Sequence, residues 1–145
     1  MKCLIQRVDR ASVTIEEKIY SEINNGILAL LGVEKGDTIE NASKLAEKVI
    51  NLRIFEDENG KMNKSLKDVQ GEILIVSQFT LCGDCKKGTR PSFDKAELPS
   101  QAKTLYEDFV NIVKKSEIVV KTGQFGAMMK VELINNGPVT FLLEK

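Results

Sequence analysis

The chain of 145 residues has no histidine and no tryptophan, and only three prolines and three cysteines. Without histidine, neither a Ser-His-Asp triad nor a Cys-His pair can form within it, and no imidazole is available to ligate a metal. Whatever chemistry it performs must do without the usual base. Net charge is lacking too, because 21 basic residues balance 21 acidic ones. No overall field then holds a polyanion along an extended surface, so contact with a nucleic acid is expected to be local. No apolar run approaches the ~20 residues of a membrane span, and Met1-Lys-Cys-Leu-Ile-Gln-Arg7 lacks the long apolar region of a signal peptide. A soluble, cytoplasmic protein with no membrane contact is expected. An odd cysteine count in a chain of ordinary size argues against a secreted disulfide framework. With no repeat, low-complexity tract or linker, residues 1–145 form one domain, long enough to bury about two-thirds of its unfolded surface.

What is present reads mostly as sheet. Lys2 to Ile15 alternates with the period of a half-buried strand pair, with Glu16-Glu17-Lys18 as its solvated tip. After Ile19–Ile23, Asn24-Asn25-Gly26 is a turn leading into the apolar run Ile27–Val33, a central strand. Asp37-Thr-Ile-Glu40 has the form of a capping box, and Ala42, Leu45, Ala46, Val49 and Ile50 then follow at helical spacing. Arg53–Phe55 is strand-like, and Glu56-Asp-Glu-Asn-Gly60 is a polar hairpin turn that lacks the ligand spacing of a calcium loop. Met62–Gly71 is a polar connection. A second helix over Ser100–Lys115 buries Ala102, Leu105, Tyr106, Phe109, Ile112 and Val113. Strands at Glu117–Lys121, Met128–Ile134 and Val139–Leu143 close the list. The expected fold is α+β: a mostly antiparallel, barrel-like sheet of seven or eight strands with two main helices packed against it.

Two stretches depart from plain structure. Glu72–Leu81 begins as a doubly buried strand, Ile73–Val76, and then places Ser77, Gln78 and Thr80 at its end without a turn signal. An unpartnered hydroxyl or amide costs roughly 1–3 kcal/mol on burial, so these groups are either internally bonded or open into a cleft. Asn136-Gly137-Pro138 is the other stretch, a turn ending in a residue that cannot donate to a ladder. Composition alone favours an ordinary trans bond there. Cys82-Gly-Asp-Cys85 has the spacing of a redox dithiol or half a zinc site. The other half of such a site is missing, and the pair does not open a helix in a βαβ unit. The loop that follows carries Lys86, Lys87 and Arg90, where a phosphate can be met.

Val76-Ser-Gln-Phe-Thr-Leu81 together with Asn136-Gly-Pro-Val-Thr140 resembles the paired signature motifs of the D-aminoacyl-tRNA deacylases (the D-tyrosyl-tRNA deacylase family). The similarity extends to Ile5-Gln-Arg-Val8, Leu30-Leu-Gly-Val33, Arg53-Ile-Phe55, Gly60-Lys-Met-Asn63, Arg90-Pro-Ser-Phe93 and Thr122-Gly123, in order, over essentially the whole chain. Cys82 and Cys85 are the departure from the family pattern.

The resemblance implies an enzyme that hydrolyses the ester joining a D-amino acid, or glycine, to the terminal adenosine of tRNA and spares the L-aminoacyl form. This is chirality proofreading in translation, extended to glycine mischarged on tRNA-Ala. It implies a homodimer whose active site is completed across the interface, with Gly137-Pro138 cis and inserted into the partner's site as a steric filter. Ser77, Gln78, Phe79 and Thr80 would be the catalytic group, and Arg7, Phe125 and Met129 would bind substrate. No metal or cofactor is expected. Thr80 has no adjacent base to activate it, so water assisted by the ribose hydroxyl is the favoured attacking group, with N–H groups near Phe79 and Thr80 receiving the oxyanion. A Cys-x-x-Cys oxidoreductase and a non-catalytic binder of RNA ends are the alternatives.

Overall fold

In the computed structural model, which describes Met1–Lys145, one continuous 14-residue strand, β1 (Lys2–Ile15), runs through the molecule. It replaces the strand pair expected for this segment. Its partner in the hairpin is β2 (Lys18–Ile23), joined through Glu16 and Glu17, both in the left-handed region at φ 49° and 63°. On the same edge of β1 lies β3 (Gly26–Gly32), antiparallel to Lys2–Val8. Beyond β3 the sheet turns parallel, with β6 (Glu72–Ser77) and then β7 (Val119–Thr122). Parallel strands need covering on both faces, which is why Ile27–Leu31 and Ile73–Val76 are near-continuous apolar runs. Gly26 begins β3 because a Cβ there would sit 1.9 Å from the Glu72 carbonyl oxygen. The Ser21 hydroxyl donates to the Thr122 carbonyl at 2.8 Å, bringing β2 against β7 and nearly closing a mixed barrel.

The other edge of β1 carries β8 (Lys130–Glu144), antiparallel throughout. Two strands separated by a hairpin were expected here. Instead the segment is a single strand, because Val8 faces Asn135, Gln6 faces Thr140, and Asn136–Val139 bulge out opposite Arg7. A second irregularity, between Val8 and Arg10, shifts the phase of β1. Cys3 and Ile5 therefore face the helix-side core, whereas Val8, Ala11 and Val13 face a smaller cluster with Ile23, Leu28, Leu74 and Val76.

Helix α1 (Ile39–Asn51) begins one residue later than the expected box. Thr38 is the cap and Asn41 its reciprocal partner, because Asp37 instead accepts the Glu34 N–H at 2.6 Å. Helix α2 (Pro99–Lys114) buries Val110 alongside Ala102, Tyr106, Phe109 and Val113, and leaves Leu105 and Ile112 half-buried. The two helices pack on each other and on one face of the sheet. Two short strands, β4 (Phe55–Glu56) and β5 (Met62–Lys64), form a separate hairpin where a loop was expected after Gly60. The Tyr106 phenol is buried and donates to the Ile75 carbonyl at 2.8 Å, fixing α2 to β6 two residues before the strand ends. No helix is long and apolar enough to cross a membrane.

Candidate active site

Where β6 ends, the chain tightens into a 3-10 turn over Phe79–Cys82. The Gln78 N–H donates to the Leu31 carbonyl at 2.7 Å, a last ladder bond that holds the start of the turn against β3. The expected polar cluster at Ser77, Gln78 and Thr80 is thus divided between a strand end and a turn. Ser77 and Gln78 are half-buried, and Phe79 and Thr80 are exposed. The Gln78 side-chain amide donates to the Thr80 hydroxyl. Phe79 and Thr80 open the turn, where backbone N–H groups have no partner within it. Their hydrogens are available to an incoming oxygen.

Phe79, 60% exposed, lies against Phe93 with ring centroids 5.0 Å apart and planes tilted by 60°. An exposed aromatic pair beside polar groups offers a surface on which a base or apolar side chain can rest. Phe125 packs on Tyr106 at 5.7 Å, and Met129 lies against Gly123, where an added Cβ would be 2.7 Å from its sulfur. Both are half-buried, each with one side in the core. The Gly123 N–H in turn donates to the Ile75 carbonyl at 2.9 Å, which ties this loop to β6 just before the turn.

Arg7 is in a different position. It continues the helix-side row of Cys3 and Ile5 and is only 6% exposed. Its Nε donates to the Asn136 carbonyl at 2.9 Å, one terminal nitrogen to the Ile54 carbonyl at 2.7 Å, and the other to Asn136 Oδ1 at 3.4 Å. Burying a guanidinium without such partners costs several kcal/mol; here the partners are two backbone carbonyls and the Asn136 side-chain oxygen, with the Glu56 carboxylate at 3.8 Å. Asn135 Oδ1 accepts the Val139 N–H at 2.7 Å, and the Asn136 amide donates to Asp9. Residues 135–139 are therefore pinned from inside the sheet. Gly137-Pro138 within them is a cis peptide, with Gly137 at φ 138°.

Within one subunit the bend and the turn do not meet. The bend lies opposite Arg7, which is in register with Ile27 and Ile73, four residues before Ser77 and three strands away. At ~3.3 Å per residue and ~4.8 Å between strands, the two are separated by about 13 Å along the sheet and about 14 Å across it.

Cys82 is buried, and its Sγ donates to the Val33 carbonyl at 3.4 Å. Burial pushes its thiol above the usual range, and that of Cys3 up to about 12. Cys85 is exposed in the loop with Lys86, Lys87 and Arg90. No group of three or more cysteine, aspartate or glutamate side chains converges as a metal set.

The whole architecture recurs in a solved structure described as a probable eukaryotic D-amino acid tRNA deacylase. It superimposes with a TM-score of 0.85 over 99% of this chain and 98% of that one, at 17% identity. A nearly closed mixed barrel with two helices on one face is the deacylase fold. The family model for D-Tyr-tRNA(Tyr) deacylase matches residues 4–144, and the chain belongs to that family. It is 57% identical over 144 residues to the D-aminoacyl-tRNA deacylase of Syntrophus aciditrophicus, covering 99% of this chain and 97% of that one. To the enzyme of the same name from Thermosipho africanus it is 58% identical at the same coverage. A solved structure of the c-Myc DNA Unwinding Element Binding Protein is 45% identical, with a TM-score of 0.95 over 100% of this chain and 99% of that one. The chain is a hydrolase, a D-aminoacyl-tRNA deacylase.

Proposed function

We propose that the enzyme works as a homodimer in which the 3-10 turn of one subunit and the Asn136–Pro138 bend of the other form each active site. The observation that carries this reading is the position of the bend: it is pinned rigidly by Arg7 on β8, the strand that ends the sheet, and is distant from its own subunit's turn. Strand β8 pairs only with β1, so its outer edge carries unpaired backbone groups on either side of the bend and exposes Ile134, Phe141 and Leu142. A long apolar edge calls for cover, and a second copy provides it with matching chemistry.

In this arrangement the main-chain oxygens of Gly137 and Pro138 occupy the space that an L side chain would need beside the ester. Rejection is by clash rather than by weaker attraction. A D residue directs its side chain elsewhere, and glycine has none to exclude, so glycyl-tRNA is also cleaved. Chirality proofreading in translation follows from that selectivity.

Gln78 and Ser77 orient the ester, and the N–H groups of Phe79 and Thr80 receive the developing oxyanion. Thr80 already accepts a hydrogen bond from Gln78, which draws electron density away from its oxygen, and no histidine exists to remove its proton. Water is therefore the attacking group, with the neighbouring ribose hydroxyl assisting. Phe125 and Met129 flank the terminal adenine on their open sides, where stacking on an unpaired base is worth roughly 1–3 kcal/mol. Arg7 acts as a positioning residue for the filter, not as a direct contact to RNA.

Subunit mixing tests this reading. A Gly137→Val chain and a Gln78→Ala chain, each defective alone, should together give heterodimers that hydrolyse D-tyrosyl-tRNA and reject L-tyrosyl-tRNA. Each such heterodimer holds one intact turn facing one intact bend. No recovery of selective hydrolysis on mixing would show that the two motifs do not share a site.

A further inference from the structure

From the lysines that line one end of the barrel, we infer that the enzyme has a second RNA contact, a basic band that follows the phosphates of the acceptor stem away from the catalytic turn. The inference rests on the reading of the substrate as an aminoacylated tRNA and extends it from the esterified end to the duplex behind it.

Three surface cavities adjoin one another there. The first, about 460 Å³, lies against Cys82–Lys86 directly after the catalytic turn and is lined by Lys95. The second, about 470 Å³, shares Lys95 and is reached by Lys35 and Lys145. The third, about 640 Å³, shares Lys145 and is lined by Lys48 and Arg53 at the end of α1. All six of Lys35, Lys48, Arg53, Lys86, Lys95 and Lys145 are exposed, and none has a carboxylate within 4.0 Å.

The acidic residues in the same cavities are largely engaged elsewhere. Glu34 pairs with Lys2 at 3.3 Å and Asp37 with the Met1 amine at 2.6 Å, so Asp94, which accepts the Ser92 hydroxyl at 2.7 Å, is the one unpaired acid facing Lys35, Lys95 and Lys145. In the first cavity Asp84 accepts the Lys86 N–H at 2.9 Å, and this bond, helped by the nearby Lys86 and Lys95 charges, holds its carboxyl below the usual value. Glu47 remains opposite Lys48 and Arg53 and leaves that cavity net positive.

A run of cations without carboxylate partners therefore begins beside the catalytic turn and continues through three adjoining cavities. Its length is set by α1: Lys35 precedes that helix and Lys48 lies in its last turn. Thirteen residues at 1.5 Å each make the helix about 20 Å long. A mononucleotide does not need that distance, whereas a duplex backbone with its regular phosphate repeat does. Contacts of this kind set register and orientation and carry no sequence preference, which suits an enzyme that must act on tRNAs charged with different amino acids.

The far end of the band separates this role from catalysis. Lys48→Glu/Arg53→Glu should lower kcat/KM on full-length D-tyrosyl-tRNA by about tenfold and reduce the salt dependence of binding by about one unit of log slope per lost phosphate contact. Hydrolysis of the D-tyrosyl ester of the trinucleotide CCA should be unchanged, with its preference over the L ester intact, because the Ile54 carbonyl beside Arg53 keeps its bond to Arg7. The neutral pair Lys48→Gln/Arg53→Gln should shift the full-length substrate in the same direction by less. Wild-type kcat/KM and salt slope in both variants on full-length tRNA would overturn the proposal, and so would equal losses on the two substrates. If the unaltered enzyme cleaved neither ester, the substrate reading itself would fall and the band with it.

Discussion

The Nε of Arg7 donates to the carbonyl of Asn136 at 2.9 Å, across the sheet from β1 into the bulge of β8. The same guanidinium reaches the Ile54 carbonyl at 2.7 Å, so one side chain joins the bend, the proposed filter, to the chain that leaves α1. Arg7→Lys keeps the charge but has no planar fork to span both carbonyls. It should destabilise the fold by about 1.5–3 kcal/mol, the range for hydrogen bonds to a charged group. It should also raise cleavage of L-tyrosyl-tRNA relative to the D form. Thermal melts and the ratio of the two kcat/KM values check both effects, and a stable variant with wild-type discrimination would remove Arg7 from the filter.

Gly137 has φ 138°, and a Cβ there would lie 2.6 Å from Val139 Cγ2 and 3.2 Å from the Arg7 guanidinium. Gly137→Ala must therefore move the bend relative to Arg7. A displacement that relaxes the clash by about 1.4 kcal/mol corresponds to a tenfold fall in D-over-L selectivity. Parallel assays with the two tyrosyl-tRNAs measure it.

Thr80→Val removes the hydroxyl and the hydrogen bond from Gln78. With water as the attacking group and the Thr80 N–H retained, kcat should fall by about tenfold, the equivalent of one ordinary hydrogen bond, and remain measurable. Abolition of turnover with substrate binding intact would identify Thr80 as the nucleophile, and a trapped acyl-enzyme would make that conclusive.

The three thiols differ in access. Cys3 and Cys82 are buried with thiols pushed upward, and Cys85 is exposed. Iodoacetamide at neutral pH should alkylate Cys85 alone in the native protein, as mass spectrometry would show, with deacylation unaffected. Inactivation on alkylation would instead give the Cys-x-x-Cys loop a chemical role.

Asp68 accepts the Ser65 N–H at 2.8 Å and its hydroxyl at 2.7 Å, and these bonds hold its carboxyl below the ordinary value of 3.8. Asp57 is lowered as well, first by the Asn63 amide. A carboxylate depressed by folding adds stability above its unfolded pKa and loses it as pH falls through the folded one. Tm should therefore drop as pH falls below 3.8, and Asp68→Asn should flatten that fall while lowering Tm at neutral pH. Melting curves across the acid range would show identical slopes if Asp68 were not involved.

Much of this was legible before any coordinates. The doubly buried strand was visible in Ile73–Val76, because a parallel strand covered on both faces leaves no alternation to read. The α1 stripe was visible in Ala42, Leu45, Ala46, Val49 and Ile50. Local patterns failed where long-range pairing decides. Nothing in Lys130–Glu144 announces that its two apolar halves form one strand, since the register that makes Asn136–Val139 a bulge belongs to β1. Arg7 is similar: an arginine in an alternating strand reads as solvent-facing, and only the carbonyls of Ile54 and Asn136, 47 and 129 residues away, make its burial affordable. The cap shifted from Asp37 to Thr38 for the same reason, since the Glu34 N–H had already taken the aspartate.

Strand β8 stops the sheet with one side unclaimed, and the bend it bears is out of reach of its own chain's turn. On the proposed dimeric reading, discrimination becomes a matter of how often two molecules meet. Selective hydrolysis should then fall on dilution below the dissociation constant of the pair and return on reconcentration, so that proofreading capacity in a cell rises faster than linearly with the amount of enzyme while copies are scarce.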